Sequence, residues 1–219
     1  MNKLFGNEDE RVGQYVAQVY APEDDVLADI RTRSAEAGLP DIQVAALDAR
    51  HLEVVARIAG ARRAVEVGTL GGYSGVALLR GMGPDGQLDT IEMSPHHADV
   101  ARESFRRAGV GDRVRIHVGA AAAVLPTLVG GGPFDLVFID ADKEGYPGYL
   151  AWAADNLRPG GVVLLDNAFL FGRLSEPATG DRATEIRALQ SVHEALARGG
   201  KFRATVLPTG EGLAFGVRV

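Results

Sequence analysis

The sequence predicts an α/β fold: a Rossmann-like, doubly wound sheet of seven strands, with helices on both faces, a C-terminal antiparallel hairpin and an N-terminal helical cap. Three observations carry this reading. From residue 63 onward, short apolar segments alternate with helical ones. Two of these segments, FDLVFID and GVVLLD, are apolar on both faces, as central parallel strands covered on each side must be. The last two, at 203–207 and 213–219, are separated only by PTGEG. That is too short for a crossover, so they pair antiparallel.

The first 60 residues read as helical. Over 8–20, Val12, Tyr15, Val16 and Val19 fall on one face; Pro22 opens a second helix that ends near Gly38. Leu47, Leu52, Val55 and Ile58 give helical spacing over 44–59, and Gly60 is the stop. Strands follow at 64–67, 87–92, 114–118, 134–140, 162–166, 203–207 and 213–219. Helices fill most gaps, at about 73–82, 95–108, 120–129, 146–157 and 182–198, with Ser94 as N-cap of the second. No internal repeat or low-complexity linker divides the chain. The expected organisation is one domain over 1–219, a helical cap (1–42) on a Rossmann-like core (43–219).

Composition narrows the chemistry. The 219 residues are 46% hydrophobic and 24% charged, close to ordinary globular domains, which excludes disorder, collagen and coiled coil. With no cysteine there is no disulfide scaffold, thiolate metal site or cysteine nucleophile. Any metal must bind through oxygen or imidazole. A formal charge of −6 argues against nucleic acid as a partner. No apolar run approaches the ~20 residues of a membrane span, and the opening MNKLFGNEDE turns acidic at once. A cytoplasmic protein without a membrane partner is expected.

In open sheets of this kind, ligands bind beyond the carboxyl ends of the strands, at the topological switch point. VEVGTLGGYSG runs from a strand through glycines into a helix there. The dinucleotide fingerprint needs glycines at i, i+2 and i+5; from Gly68 those positions hold Leu70 and Tyr73. No Walker lysine follows. A nucleoside-type ligand without a pyrophosphate remains, and Glu92, ending the second strand, stands where an acid accepts hydrogen bonds from ribose hydroxyls. The plainer alternative is a tight turn and a helix cap.

FIDADK puts Asp140 at one strand tip with Asp142 and Lys143 just beyond, and LLDN puts Asp166 and Asn167 at another. Neighbouring strands lie about 4.8 Å apart, so the two carboxylates can converge. Asp, Asp and an amide oxygen form a set suited to a hard cation, Mg²⁺ first, with Mn²⁺ or Ca²⁺ as alternatives. Solvated strand ends are the bland alternative. Only three of the 23 basic residues are lysines, Lys3, Lys143 and Lys201. Lysine can release its proton where arginine effectively cannot, which marks Lys143 as a candidate base; a surface salt bridge to Glu144 or Asp142 is the competing role.

Taken together, VEVGTLGGYSG, the strand end at Glu92, FDLVFIDADKEGYPGY and PGGVVLLDN resemble the metal-dependent S-adenosylmethionine (SAM) O-methyltransferases, the group of catechol and caffeoyl-CoA O-methyltransferases and their small bacterial relatives. The resemblance spans about residues 40–219, and DADK with DN is its most specific part. It implies that Glu66, Gly68 and Ser74 contact the methionine part of SAM, Glu92 the ribose and Ala121 the adenine. Asp142 and Tyr149 would close over the methionine end, with a backbone contact from Val44. Asp140, Asp166 and Asn167 would hold the metal, and Lys143, with Asp140, would carry the proton chemistry. A homodimer and a small, ortho-dihydroxy aromatic acceptor are further implications. Two adjacent hydroxyls on the metal acidify a phenol and fix its oxygen in line with the methyl. Two departures stand out: the third-strand turn, GAAAAVLPTL, is unusually rich in alanine, and AFLFGRLSEPATGD offers no evident polar residue for the acceptor. Phe169, Leu170 and Phe171 could give an aromatic acceptor an apolar wall or instead tuck under their own loop.

Two other functions compete. One is methylation of a hydroxylated tRNA base, against which the net charge and lack of a basic stripe count. The other is a non-catalytic nucleoside- or NAD-binding protein, against which Leu70, DADK and DN count. His51, His96, His97, His117 and His193 take no assigned role, and Trp152 reads as helix packing.

Overall fold

The computed structural model describes residues 9–20 and 23–219. Strands β1 (Arg63–Val67), β2 (Gln87–Glu92), β3 (Val114–Val118), β4 (Phe134–Ile139) and β5 (Leu157–Leu165) pair in parallel. β6 (Phe202–Leu207) and β7 (Leu213–Arg218) form the antiparallel hairpin, and β7 pairs antiparallel to β5. The order is β3-β2-β1-β4-β5-β7-β6. From β1 the chain winds outward through β2 and β3, then returns to the other side of β1 as β4. The switch point is therefore the crevice between the ends of β1 and β4.

The period of two along each strand sorts the core into two layers. Val65, Val67, Val137, Ile139, Val163 and Leu165 pack on one face, beneath α7 (Tyr146–Asn156) and α8 (Ala183–Arg198). Ala64, Leu136, Phe138, Val162 and Leu164 face the other, beneath α3 (Ala46–Ile58) and α4 (Tyr73–Met82). Glu66, Asp140 and Asp166 continue this second set toward the carboxyl edge.

Several boundaries move, each for a local reason. α2 (Asp25–Glu36) is opened by Asp24, whose carboxylate accepts from the Leu27 amide at 3.0 Å; Pro22 and residues 1–8 lie outside the described residues. The helix expected over 120–129 is a four-residue α6 (Ala121–Val124) followed by a 3₁₀ segment, Leu125–Gly131. Pro126 lacks the amide that an α-helix would need there. β5 begins at Leu157 rather than 162, because the register against β4 shifts between Phe134 and Leu136 and absorbs the Pro159–Gly161 stretch. Ser94 caps α5 (Pro95–Arg107) as expected, accepting from the His97 amide. Trp152 packs on Phe134, ring centroids 5.6 Å apart.

α1 (Glu10–Tyr20) carries the expected apolar stripe, but no residue of it is buried: Val12, Tyr15 and Val19 are 42%, 64% and 50% exposed. No helix of the described residues is long and apolar enough to cross a membrane.

Candidate active site

The loop leaving β1 is built around a close approach. Gly68 has φ +100°, and a Cβ there would sit 1.8 Å from the Asp140 carbonyl oxygen. Only glycine lets the ends of β1 and β4 meet this closely. Leu70 is also in the left-handed region, φ +47°, and α4 then starts with its amide-bearing end at the crevice.

Beneath the loop lies a polar layer. Glu66 is fully buried; its carboxylate accepts from the Ser74 and Thr90 hydroxyls, each at 2.6 Å. Burial pushes its carboxyl up to about 7, against the lowering pull of the two hydroxyls. The Thr69 and Thr90 hydroxyls share a 2.5 Å hydrogen bond. Glu92 Oε2 accepts from the amides of Thr69 (3.2 Å) and Leu70 (2.9 Å), and its Oε1 from the Ser94 amide (2.9 Å). Of the residues expected at the methionine and ribose ends, Glu66 and Ser74 thus hold each other, while Glu92 holds the loop. Thr69 and Thr90 were not singled out from the sequence. Their signal is the alternation that turns Thr90 inward beside Glu66.

Ala121, half-buried, opens the turn after β3, at the outer flank of the same edge. Val44 is buried just ahead of α3. Asp142 accepts from the Tyr149 hydroxyl at 2.6 Å and from the Gly145 amide at 3.0 Å, so the pair expected to close one end is already joined.

Asp140 and Asp166 follow the paired ends of β4 and β5 on adjacent strands. Ile139 and Leu165 are paired, and the Asp166 amide donates to the Ile139 carbonyl at 3.0 Å. Burial raises the Asp140 carboxyl, partly offset by the Lys143 ammonium. Burial and the neighbouring Asp140 push Asp166 up to about 7. Lys143 is paired with neither Glu144 nor Asp142. Its Nζ lies 3.3 Å from Asp140 Oδ1 and donates to the Tyr146 hydroxyl at 2.6 Å, with only 11% of its side chain exposed. Tyr146, fully buried, in turn donates toward the backbone oxygens of Asp166 (3.1 Å) and Ile139 (3.3 Å). Its position three residues after Lys143 was the available signal.

Two carboxylates that resist ionising together are suited to a dication, which favours both charges at once. Among the described residues no group of three or more His, Asp or Glu side chains is placed to hold a metal. A cation here would therefore draw on the Asn167 amide oxygen as well. Asn167 has φ +52°, and Leu170 and Phe171 share that left-handed region. Such clustered strain is characteristic of functional loops. Within the loop, Leu170 is buried in the core, whereas Phe171 is 51% exposed with the Arg182 guanidinium 5.7 Å from its ring centroid.

Residues 17–219 match the model of a family described as O-methyltransferase. The chain is 44% identical over 184 residues to a catechol O-methyltransferase of Mycobacterium tuberculosis, covering 84% of this chain and 83% of that one. Among solved structures, it resembles an O-methyltransferase from Bacillus cereus in complex with SAH at a TM-score of 0.88 and 35% identity, over 95% of this chain and 97% of that one. The O-methyltransferase TomG of Streptomyces achromogenes, in complex with SAM, gives 0.88 and 37% over 98% and 100%.

Proposed function

This chain belongs to the O-methyltransferase family and is a SAM-dependent enzyme; we propose that it methylates a hydroxyl of a small ortho-dihydroxy aromatic held by a divalent cation at Asp140, Asp166 and Asn167. The observation that carries the reading is the buried Asp166 and the partly buried Asp140 at adjacent strand tips, with Lys143 beside Asp140. When bound, SAM supplies an electrophilic methyl and the cation acidifies and orients the acceptor hydroxyls.

The chain's own part is positioning and proton handling. The Gly68–Gly72 loop, tied down by Glu92, would receive the methionine and ribose portions of SAM, with Ala121 near the adenine. The Asp142–Tyr149 pair and the Val44 backbone would close the methionine end. Lys143, fixed by Tyr146 and Asp140, would release its ammonium proton to solvent and, as the neutral amine, take the acceptor's remaining proton. The named activity of the Mycobacterium relative supports a catechol-like acceptor. We propose further that the chain is a homodimer, supported by the exposed stripe Val12–Tyr15–Val19 on α1.

The test is methyl transfer from labelled SAM to catechol, to bulk tRNA and to a simple phenol, with Mg²⁺ or with EDTA. Mg²⁺-dependent methylation of catechol is expected. Full activity in EDTA, or methylation of tRNA alone, overturns the reading. Light scattering on the eluting protein decides the dimer.

A further inference from the structure

α3 ends at Ile58 and β1 begins at Arg63, so α3 finishes at the amino edge of the sheet and runs back against the strands. Its 13 residues span about 20 Å at ~1.5 Å each, roughly the length of a six-residue strand. Its first turn therefore stands at the carboxyl edge, where Asp140 and Asp166 are. Asp48 and Leu52, four apart on α3, form a stripe turned inward, continued by Val44 just ahead of the helix, and they are 8%, 0% and 7% exposed. That stripe belongs to the layer containing Leu136, Phe138, Val162 and Leu164, the face on which Asp140 and Asp166 continue the strand alternation.

Asp48 is the anomaly in that stripe. Its Oδ1 is buried and makes no hydrogen bond among the described residues; His51 Nδ1, 3.5 Å away, forms an ion pair with it only when that imidazole is protonated. A carboxylate in such a setting calls for a compensating charge or donor. Asp48 does not complete a three-carboxylate ligand set with the strand-tip acids, so it stands outside direct coordination.

We propose that Asp48 is an outer carboxylate of the cation site, strengthening cation binding by charge and by accepting a hydrogen bond from a group the cation carries. Such outer partners commonly change metal affinity by 10–100-fold. The inference rests on the cation reading of Asp140, Asp166 and Asn167. The competing explanation is local: a carboxylate in the first turn of a helix is favoured by the helix dipole and needs no cation.

Calorimetric titration of Mn²⁺ into the full chain with SAH bound separates these. Asp48→Asn, which keeps size and removes charge, should weaken Mn²⁺ about tenfold at unchanged 1:1 stoichiometry, and Asp48→Ala should move affinity the same way. Asp166→Asn should abolish binding, and SAH affinity without metal should not change. A folded Asp48→Asn with wild-type Mn²⁺ affinity overturns the proposal, all the more if its melting temperature falls. Failure of the wild-type chain to bind Mn²⁺ overturns the cation reading itself, and this inference with it.

Discussion

The Lys143 ammonium is held 2.6 Å from the Tyr146 hydroxyl, at the head of a chain of hydrogen bonds that ends on the backbone of Asp166. One buried tyrosine thus couples the candidate base to the strand carrying a candidate metal ligand. The ammonium also lies 4.6 Å from the Tyr146 ring centroid, so the ring and the hydroxyl both fix it. Tyr146→Phe keeps the ring and removes the hydroxyl. We expect kcat to fall about tenfold, the scale of one misplaced proton-transfer group, with SAM affinity unchanged and a stability loss of about 1 kcal/mol. Steady-state kinetics and a denaturant melt check both. Wild-type kcat would mean that Asp140 alone positions Lys143.

Glu92 makes a second prediction, sharper than the sequence allowed. Because it accepts from three backbone amides, two of them in the glycine loop, Glu92→Ala should weaken both the fold and the cofactor site. The expected costs are about 1–3 kcal/mol each in SAM binding and in stability, since buried amides would lose their partner. Calorimetry with SAM and a thermal melt read the two separately. Lost affinity with an unchanged melting temperature would assign Glu92 to the ribose alone.

Glu66 should write itself into the pH dependence of stability. Its folded value is near 7 and its ordinary value 4.5. Across that window the native state keeps a proton that the unfolded chain has released. Stability from this group is therefore full below about pH 4.5 and is lost as pH rises toward 7, at roughly 1.4 kcal/mol per unit. Glu66→Gln removes the titration. The difference in unfolding free energy between variant and wild type should grow in the variant's favour from pH 5 to pH 7.5, and a pH-independent difference would refute it.

The strand tips were legible in the sequence because burial and alternation leave few alternatives for FDLVFID and GVVLLD. Once those are adjacent parallel strands, Asp140 and Asp166 stand at neighbouring tips. The C-terminal hairpin followed as directly from the shortness of PTGEG. What the sequence concealed depends on through-space partners. The Lys143–Tyr146 contact, the Glu92 contacts to the loop and the burial of Asp48 are set by how separate segments lie against one another, which periodicity alone does not fix. The 3₁₀ segment after α6 was missed although Pro126 was visible; a proline near the start of a helical pattern can be read either way.

The segment after Asn167 supplies the last prediction. Two of its three large apolar residues, Leu170 and Phe171, divide by role. Leu170 is completely buried and Phe171 is half-exposed, so the two uses considered for this run, core and wall, fall to different residues. Leu170→Ala should cost about 2–5 kcal/mol of stability, as for other large-to-small core changes. Phe171→Ala should cost less than about 0.5 kcal/mol, as exposed positions do, yet raise the acceptor KM several-fold with SAM affinity unchanged. Because Phe171 has φ +54°, Phe171→Gly relieves backbone strain and should be as stable as wild type or slightly more so, with the same defect in acceptor KM. Acceptor kinetics paired with melting curves for the three variants decide the matter. If Phe171→Ala lowers the melting temperature as much as Leu170→Ala while acceptor KM stays at the wild-type value, Phe171 belongs to the loop's packing, and the acceptor's apolar wall lies elsewhere.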